Sequence, residues 1–213
     1  MKINLEILDA AYLYDEKTIT QLNTKELVPK MVFRRRLTQA SKLVIELMHK
    51  INFSTGRILY GTAWGELKST ANILNAILNK DMVSPTDFQN SVYNTAVSYS
   101  SILSNNKNEI LTISSGNNTS LNLLKAGAIK ALDKDEILLI CTETINIENI
   151  EQTNNCIDYL EVAVALKVKI SDEKATIDFK EIENKGFPKS VNELLSIAKL
   201  YNQNSKNIVE IKL

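Results

Sequence analysis

A short strand that runs directly into a helix is the feature that most constrains the fold of this chain. Residues 109–113 (EILTI) are apolar and β-branched, and the segment 119–132 has apolar residues at helical spacing. The apolar positions of that segment are Leu121, Leu124, Ala128 and Leu132. The turn between them, 114–118 (SSGNN), places one side chain at the positive end of a helix, where a nucleophile is usually held. The crest of the turn is Gly116, so the geometry of an acyl-transfer site is predicted without its reactive atom.

Strand and helix patterns alternate through the rest of the chain. The other predicted strands are 3–8, 57–63, 136–142, 161–170 and 208–213. The other predicted helices are 34–51, 67–80, 85–104 and 190–201. Residues 176–180 are expected to pair with the strand 161–170 as a hairpin. Buried strands alternating with helices predict an α/β fold, with a mixed, mainly parallel sheet flanked by helices. A chain of 213 residues is expected to form one domain, residues 1–213.

Bulk composition excludes several classes of function. The formal net charge of +0 provides no long-range attraction to nucleic acid or to an anionic membrane, so neither is expected as a partner. The sequence has no apolar run long enough to span a bilayer and no signal-peptide pattern. We therefore expect a cytoplasmic protein with no membrane span.

The residues that usually carry catalysis are scarce. Cys141 lies inside an apolar strand pattern and is predicted to be a buried packing residue. The distance in sequence between Cys141 and Cys156 is not one that is typical of a pair of metal ligands. The single histidine, His49, falls off the apolar stripe of its predicted helix and is expected to be solvated. The sequence therefore predicts no metal site, no cofactor and no active site that depends on histidine.

Two serines leave an enzymatic hypothesis open. Ser114 and Ser115 flank the turn, and a serine at a strand-to-helix turn is typical of hydrolases. A serine hydroxyl needs an adjacent base, and the chain offers no suitable histidine. Carboxylates are the other possible bases, but Glu66, Asp87 and Glu143 show no second feature that separates them from ordinary surface or capping acids.

Several stretches, in this order, resemble the N-terminal half of a β-ketoacyl synthase, which has the thiolase-like fold. They are 58–67 (ILYGTAWGEL), 84–98 (SPTDFQNSVYNTAVS) and 110–143. Two further segments, 34–37 (RRRL) and 65–67 (GEL), are typical of a small subgroup, the β-ketoacyl synthase-like N-terminal domain proteins. Some members of that subgroup accompany true ketosynthases in aryl-polyene and flexirubin-type pigment synthesis, as partners that resemble chain length factors.

The chain departs from the enzymes of this family at the reactive positions. A condensing enzyme needs a cysteine thiolate at the turn, and the matching position here is Gly116. It also needs two histidines, which belong to the C-terminal half of the family's fold, and the present chain has one histidine in total. The resemblance therefore implies no catalytic residue in this chain and no ketosynthase activity of its own.

The resemblance instead implies a non-catalytic subunit similar to a chain length factor. Its expected partner is a full-length β-ketoacyl synthase, as a heterodimer, or a copy of itself, in polyene or fatty-acid-like biosynthesis on an acyl carrier protein. The expected pairing strand at the dimer interface is Ile110, Leu111, Thr112 and Ile113. The candidates for an acyl pocket or tunnel are Trp64, Phe88, Tyr93, Asn94, Tyr99, Gly116 and Thr119. Ordinary core packing is the alternative for the aromatic residues among them.

A second hypothesis is a stand-alone acyl-binding or carrier-binding module without turnover. In that interpretation the backbone N–H groups around Gly116 bind a carbonyl oxygen. In the same interpretation the arginines at 34–36 contact an acidic carrier protein, whereas a solvated helix start or a local contact is the interpretation that the neutral composition favours. A small hydrolase or transferase that uses Ser114 or Ser115 is the third hypothesis.

Overall fold

The computed structural model of the chain describes residues 1–152, 156–179, 182–203 and 207–213. Its strands are β1 (Lys2–Asp15), β2 (Arg57–Gly61), β3 (Ile110–Ile113), β4 (Ile137–Thr144), β5 (Glu161–Ser171) and β6 (Ile208–Lys212). Its helices are α1 (Thr24–Leu27), α2 (Met31–Arg34), α3 (Gln39–Lys50), α4 (Leu67–Asn79), α5 (Pro85–Asn90), α6 (Thr95–Ser104), α7 (Thr119–Lys130) and α8 (Asn192–Gln203). Short 3₁₀ turns, among them Gly116–Asn118 and Lys189–Val191, precede α7 and α8.

The strands form one sheet in the order β3-β2-β4-β5-β1-β6. The α/β class and the mixed sheet are confirmed, but the prediction of a mainly parallel sheet is wrong for the described strands. Only β2–β3 and β2–β4 are parallel, whereas β4–β5, β5–β1 and β1–β6 are antiparallel. Parallel pairs need a helical crossover, which α4–α6 and α7 supply. No α-helix intervenes between β4 and β5 in the described residues, so the chain turns back and runs antiparallel.

The first strand is longer than its sequence pattern predicts. β1 continues to Asp15 and pairs with β5 from Asn4 opposite Ser171 to Asp15 opposite Glu161. A register shift between Ile7 and Asp9 interrupts this ladder. An extra residue in a strand reverses which side chains face each side of the sheet. The alternation of apolar and polar residues therefore breaks at this point, and the sequence pattern does not reveal the second half of the strand.

Helices cover both faces of the sheet and create two apolar cores. Along β4, Leu139 and Cys141 point to the core shared with α7 and α8, whereas Leu138 and Ile140 point to the core shared with α3 and α6. Every residue of β4 is buried, including Cys141 as predicted. The sheet is therefore covered on both sides, and its central strands read as continuous apolar runs.

One predicted helix begins later than expected, and another is divided into two. The helix predicted from residue 34 begins at Gln39, where Thr38 caps it by accepting a hydrogen bond from the N–H of Ser41. His49 is exposed at the end of this helix, as predicted. The helix predicted over 85–104 is capped by Ser84 but ends at Asn90, and α6 begins afresh at Thr95.

The prediction that residues 176–180 form a hairpin with the strand at 161–170 is wrong for residues 176–179, which the structure describes. Ile177 forms an isolated parallel bridge with Val209 of β6, not with β5. β5 lies between β4 and β1, so both of its edges are already occupied. Residue 180 lies outside the described residues.

Candidate functional site

The turn between β3 and α7 has the predicted strand-to-helix geometry. Gly116 adopts a φ of +55°, in the left-handed region that favours glycine. The hydroxyl of Thr119 donates to the carbonyl of Gly116 (2.7 Å) and accepts from the N–H of Ser115 (3.1 Å). A Cβ atom added to Gly116 would meet nothing within 4 Å, so a side chain at this position would project into open space.

The reactive groups of a condensing enzyme are not brought to this turn. Burial raises the pKa of the Cys141 thiol, which lies inside β4. His49 is at the end of α3 and exposed. Ser114 and Ser115 have no carboxylate or imidazole hydrogen-bonded to their hydroxyls among the described residues. The turn therefore presents backbone and small polar groups without a nucleophile–base pair.

A buried glutamate organises the turn that follows β2, and sequence reasoning missed its role. Glu143, at the end of β4, accepts hydrogen bonds from the N–H of Ala63 (2.7 Å), the hydroxyl of Thr62 (3.0 Å) and the N–H of Trp64 (3.2 Å). The Thr62 hydroxyl in turn accepts from the N–H of Gly65 at 3.0 Å. Burial raises the pKa of Glu143 to about 7, although these donors oppose the shift. This carboxylate fixes the backbone that presents Trp64.

The predicted pocket residues separate into two places. Gly65, with a φ of +60°, packs against the ring of Tyr93, since a Cβ atom there would lie 3.4 Å from the ring. Trp64, Phe88 and Tyr93 are exposed by 48%, 70% and 45% respectively, so ordinary core packing does not explain them.

Polar contacts hold Tyr99 and Thr119 among the remaining candidates. Asn94 is exposed at the start of α6. The hydroxyl of Tyr99 donates to the Asn90 side chain (3.3 Å). Thr119 is fully buried beneath the turn, beside Gly116. Among the predicted pocket residues, Gly116 and Thr119 are therefore in direct contact. Tyr93 packs elsewhere, against Gly65, which was not predicted as a pocket residue.

The edge of the sheet carries the predicted pairing strand. β3 is the first strand of the sheet, bonded to β2 on one side only. Large apolar side chains are exposed on β3 itself and on the chain that connects β2 to β3: Trp64, Leu74, Ile77, Leu78, Met82, Val83, Phe88, Val92, Tyr93, Ile102, Leu103 and Leu111. We call these twelve side chains the apolar surface. An open strand edge together with so much exposed apolar area is typical of an interaction surface.

The arginines at 34–36 lie before α3 rather than within it. Arg34 donates from Nη1 to the carbonyls of Val28 and Pro29, both at 2.8 Å. Its guanidinium therefore holds the local loop together. Arg35 and Arg36 are exposed.

A second contact that sequence reasoning missed joins the starts of α7 and α8. The Ser120 hydroxyl donates to the carboxylate of Glu193 and accepts from the N–H of Glu193 at 3.3 Å. Ser120 is fully buried, so its hydroxyl is out of reach of a substrate. The pair ties the two helices together, and their separation in sequence leaves no local signal of it.

The described residues contain neither a candidate membrane-spanning helix nor a candidate metal cluster. In the part of the chain that the structure covers, no helix combines the length and the apolar character needed to cross a membrane. Within the same residues, no group of three or more histidine, cysteine, aspartate or glutamate side chains is arranged to hold a metal ion.

A family model described as the β-ketoacyl synthase N-terminal domain matches residues 11–208. This match extends over most of the chain, including the turn at Gly116 and the apolar surface. No protein with a curated description matches the chain.

Three solved structures with a similar fold come from ketosynthase systems. A chain of the ketosynthase ApeO in complex with its chain length factor ApeC, from Xenorhabdus doucetiae, matches with a TM-score of 0.70 and 19% identity over 92% of each chain. The ishigamide ketosynthase/chain length factor matches with a TM-score of 0.61 and 12% identity, over 81% of this chain and 63% of that one. A β-ketoacyl synthase from Burkholderia phymatum STM815 matches with a TM-score of 0.55 and 9% identity, over 80% and 60%.

Proposed function

This chain belongs to the β-ketoacyl synthase N-terminal domain family, and we propose that it is a non-catalytic subunit, similar to a chain length factor, of a ketosynthase complex. Its partner is a full-length β-ketoacyl synthase, and the complex extends acyl chains on an acyl carrier protein in polyene or fatty-acid-like biosynthesis. Residues 1–213 act as one domain, in the cytoplasm, where such carrier-bound chains are made.

The observation that carries this proposal is the turn at Gly116. Glycine has no side chain with which to attack a thioester, and its left-handed φ of +55° is a conformation that most other residues avoid. The chain has one histidine, exposed on α3, whereas condensation requires a pair of histidines at the thiolate. The fold of the catalytic half is kept while its chemistry is lost, which suits a subunit that shapes a site belonging to its partner.

The interface of the complex is proposed on the open edge of the sheet. β3 has an unpaired outer edge, and its residues Ile110–Ile113 are apolar or β-branched without a proline or lysine to discourage pairing. The apolar surface combines Leu111 of this strand with exposed side chains on the chain between β2 and β3, including α4–α6. A matched chain of similar length comes from a ketosynthase–chain length factor complex, which supports a synthase as the occupant of this surface.

The tunnel that measures the acyl chain is proposed to lie against α5 and the turn after β2. Trp64 and Phe88 are large, exposed members of the apolar surface, and Glu143 holds the Trp64 backbone in place. A side chain of this size that reaches into the partner's tunnel limits how far the acyl chain extends.

The proposal is tested by reconstituting chain extension. The ketosynthase encoded nearest to this chain is mixed with loaded acyl carrier protein and malonyl donor, with and without this chain, and the products are measured by mass spectrometry. We expect extension with both proteins and neither condensation nor thioester hydrolysis by this chain alone. Hydrolysis by the isolated chain, dependent on Ser114 or Ser115, would contradict the proposal and favour the serine enzyme instead.

A variant pair tests the measuring role. Phe88→Ala is expected to shift the product distribution toward longer chains, because it opens space at the proposed tunnel wall. Ile129→Ala removes a side chain of similar exposure on α7, at 52% against 70%, outside the apolar surface. This control is expected to leave the distribution unchanged. Identical products from both variants and the wild type would remove Phe88 from the tunnel.

A further inference from the structure

A polar cavity of about 380 Å³ lies where α3, α4 and α5 meet the ends of β4 and β5. Its volume is within the range of pockets that hold small ligands. Its charged residues are carboxylates and lysines together: Lys42, Glu66, Lys68, Asp87 and Glu161. The cavity is separate from the turn at Gly116, whose residues do not line it.

Glu66 is a largely buried carboxylate of this cavity with one side-chain hydrogen-bond partner among the described residues. It is only 6% exposed, and its Oε1 atom accepts a hydrogen bond from the hydroxyl of Thr38 at 2.7 Å. The same hydroxyl accepts from the N–H of Ser41, the capping bond of α3, so Thr38 is fixed in place. No group among the described residues donates to Oε2 of Glu66, which is left to the cavity. Solvent reaches this oxygen through the cavity, since the Ser190 hydroxyl is the one fully buried side-chain oxygen or nitrogen without a partner among the described residues, and a ligand in the cavity can therefore donate to Oε2.

Glu161, the second buried carboxylate of the cavity, has hydrogen-bond donors of a kind that Oε2 of Glu66 does not have among the described residues. Oε2 of Glu161 accepts from the N–H of Ile19 and from the Gln39 side chain, both at 2.8 Å. The positive charge of Lys42 also acts on Glu161 and opposes the rise in its pKa that burial causes. For Glu66, burial raises the pKa to about 7, and only the Thr38 hydroxyl opposes it.

Lys42 and Lys68 form no salt bridge among the described residues, although the charge of Lys42 acts on Glu161. Within the described residues, neither Lys42 nor Lys68 forms an ion pair with Glu66. Asp87 is instead held by the side chain of Asn72 at 3.2 Å. The cavity therefore offers an unpaired carboxylate and two cationic side chains to one small occupant.

We propose that this cavity binds a small zwitterion of amino-acid size, with its ammonium group on Oε2 of Glu66 and its anionic group toward Lys42 and Lys68. An ammonium group brings three N–H donors, which is the chemistry that the unpaired oxygen needs. A metal ion fits less well, since no group of three suitable ligands is present in the described part of the chain. This site does not depend on the pairing with a ketosynthase.

Binding is measured by isothermal titration of the full chain with three zwitterions whose charges lie progressively further apart: glycine, β-alanine and γ-aminobutyrate. Butylammonium and butyrate each carry one of the two charges. We expect at least one zwitterion to bind more tightly than either. Glu66→Gln keeps an acceptor for Thr38 and is expected to weaken that zwitterion about tenfold or more, the usual loss when a charged hydrogen bond is removed.

Two further variants locate the two ends of the ligand. Lys68→Met is expected to weaken the zwitterion and leave butylammonium unchanged. Glu173→Gln, an exposed carboxylate outside the cavity, is expected to bind like the wild type. Thermal unfolding of each variant verifies that the fold is intact.

The proposal is overturned if no zwitterion binds the wild type, or if Glu66→Gln binds it as tightly. It is also overturned if potassium chloride raises the unfolding temperature of the wild type but not of Glu66→Gln, while no zwitterion raises it in either protein. That result would mark the cavity as a site for a simple cation.

Discussion

Glu143 connects the strand β4 to the turn that presents Trp64, through contacts that span about eighty positions of sequence. The sequence shows that residue 143 is a glutamate. It does not show that this side chain is buried or which groups donate hydrogen bonds to it, because both depend on the pairing of β2 with β4. The same holds for Glu66, whose partner Thr38 lies before α3. Gly116, in contrast, could be located from sequence, because a strand, a tight turn and a helix are local patterns.

Removing the Glu143 carboxylate tests its structural role. Glu143→Ala leaves the Thr62 hydroxyl and the N–H groups of Ala63 and Trp64 without an acceptor in a buried site. We expect a loss of roughly 2–4 kcal/mol in the free energy of unfolding, measured with urea. Glu173→Ala, at an exposed position, is expected to change the free energy by less than about 0.5 kcal/mol. Equal effects of the two variants would remove Glu143 as the organiser of the turn.

The titration of Glu66 makes stability depend on pH. Its pKa is raised from 4.5 to about 7 in the folded chain, so between these values the folded state keeps a proton that the unfolded state has lost. Its contribution to stability is therefore fully present below pH 4.5 and is lost as pH rises toward 7. We expect Glu66→Gln to reduce the fall in unfolding free energy between pH 5 and 8 by on the order of 2 kcal/mol.

The other charged groups that line the same cavity are unchanged by this substitution: Lys42, Lys68, Asp87 and Glu161. The wild type is still expected to lose stability over this range, because burial also raises the pKa of Glu143 and Glu161. Asp87→Asn removes another carboxylate that lines the same cavity and serves as the control. Parallel pH curves for the wild type and Glu66→Gln would contradict the raised pKa.

At the level of elements, β3 and α7 lie close to the limits that the sequence predicts, because apolar periodicity and the turn residues are local signals. The break between α5 and α6 was not predicted. Residues 91–94 contain no proline or glycine, so the sequence has no strong local signal for this interruption. β1 was predicted too short because its bulge shifts the alternation.

A substitution on the edge strand tests the proposed interface. Leu111 is 37% exposed on β3, and Leu111→Lys places a charge where the partner strand is proposed to pair. We expect this variant to lose the ketosynthase complex on size-exclusion chromatography while its unfolding temperature stays close to that of the wild type. Leu213→Lys, at 40% exposure beyond the opposite edge strand, is expected to keep the complex. Loss of the complex in both variants, or in neither, would place the interface elsewhere.

Across the whole molecule, the α/β class and the mixed sheet followed from the order of strand and helix patterns. The balance of parallel and antiparallel pairs did not, because the sequence gives no direct signal of which strand returns beside β4. The exposure of the apolar surface was also hidden. Its residues carry apolar character at helical spacing, which predicts burial equally well in the core or against another protein.

The central claim is that this chain is one half of a complex with a ketosynthase. Co-expression with the ketosynthase encoded nearest to it, followed by size-exclusion chromatography with light scattering, tests that claim most directly. We predict a stable complex of one copy of each chain, with the apolar surface covered. A well-behaved monomer or self-dimer that does not associate with the synthase would contradict the account.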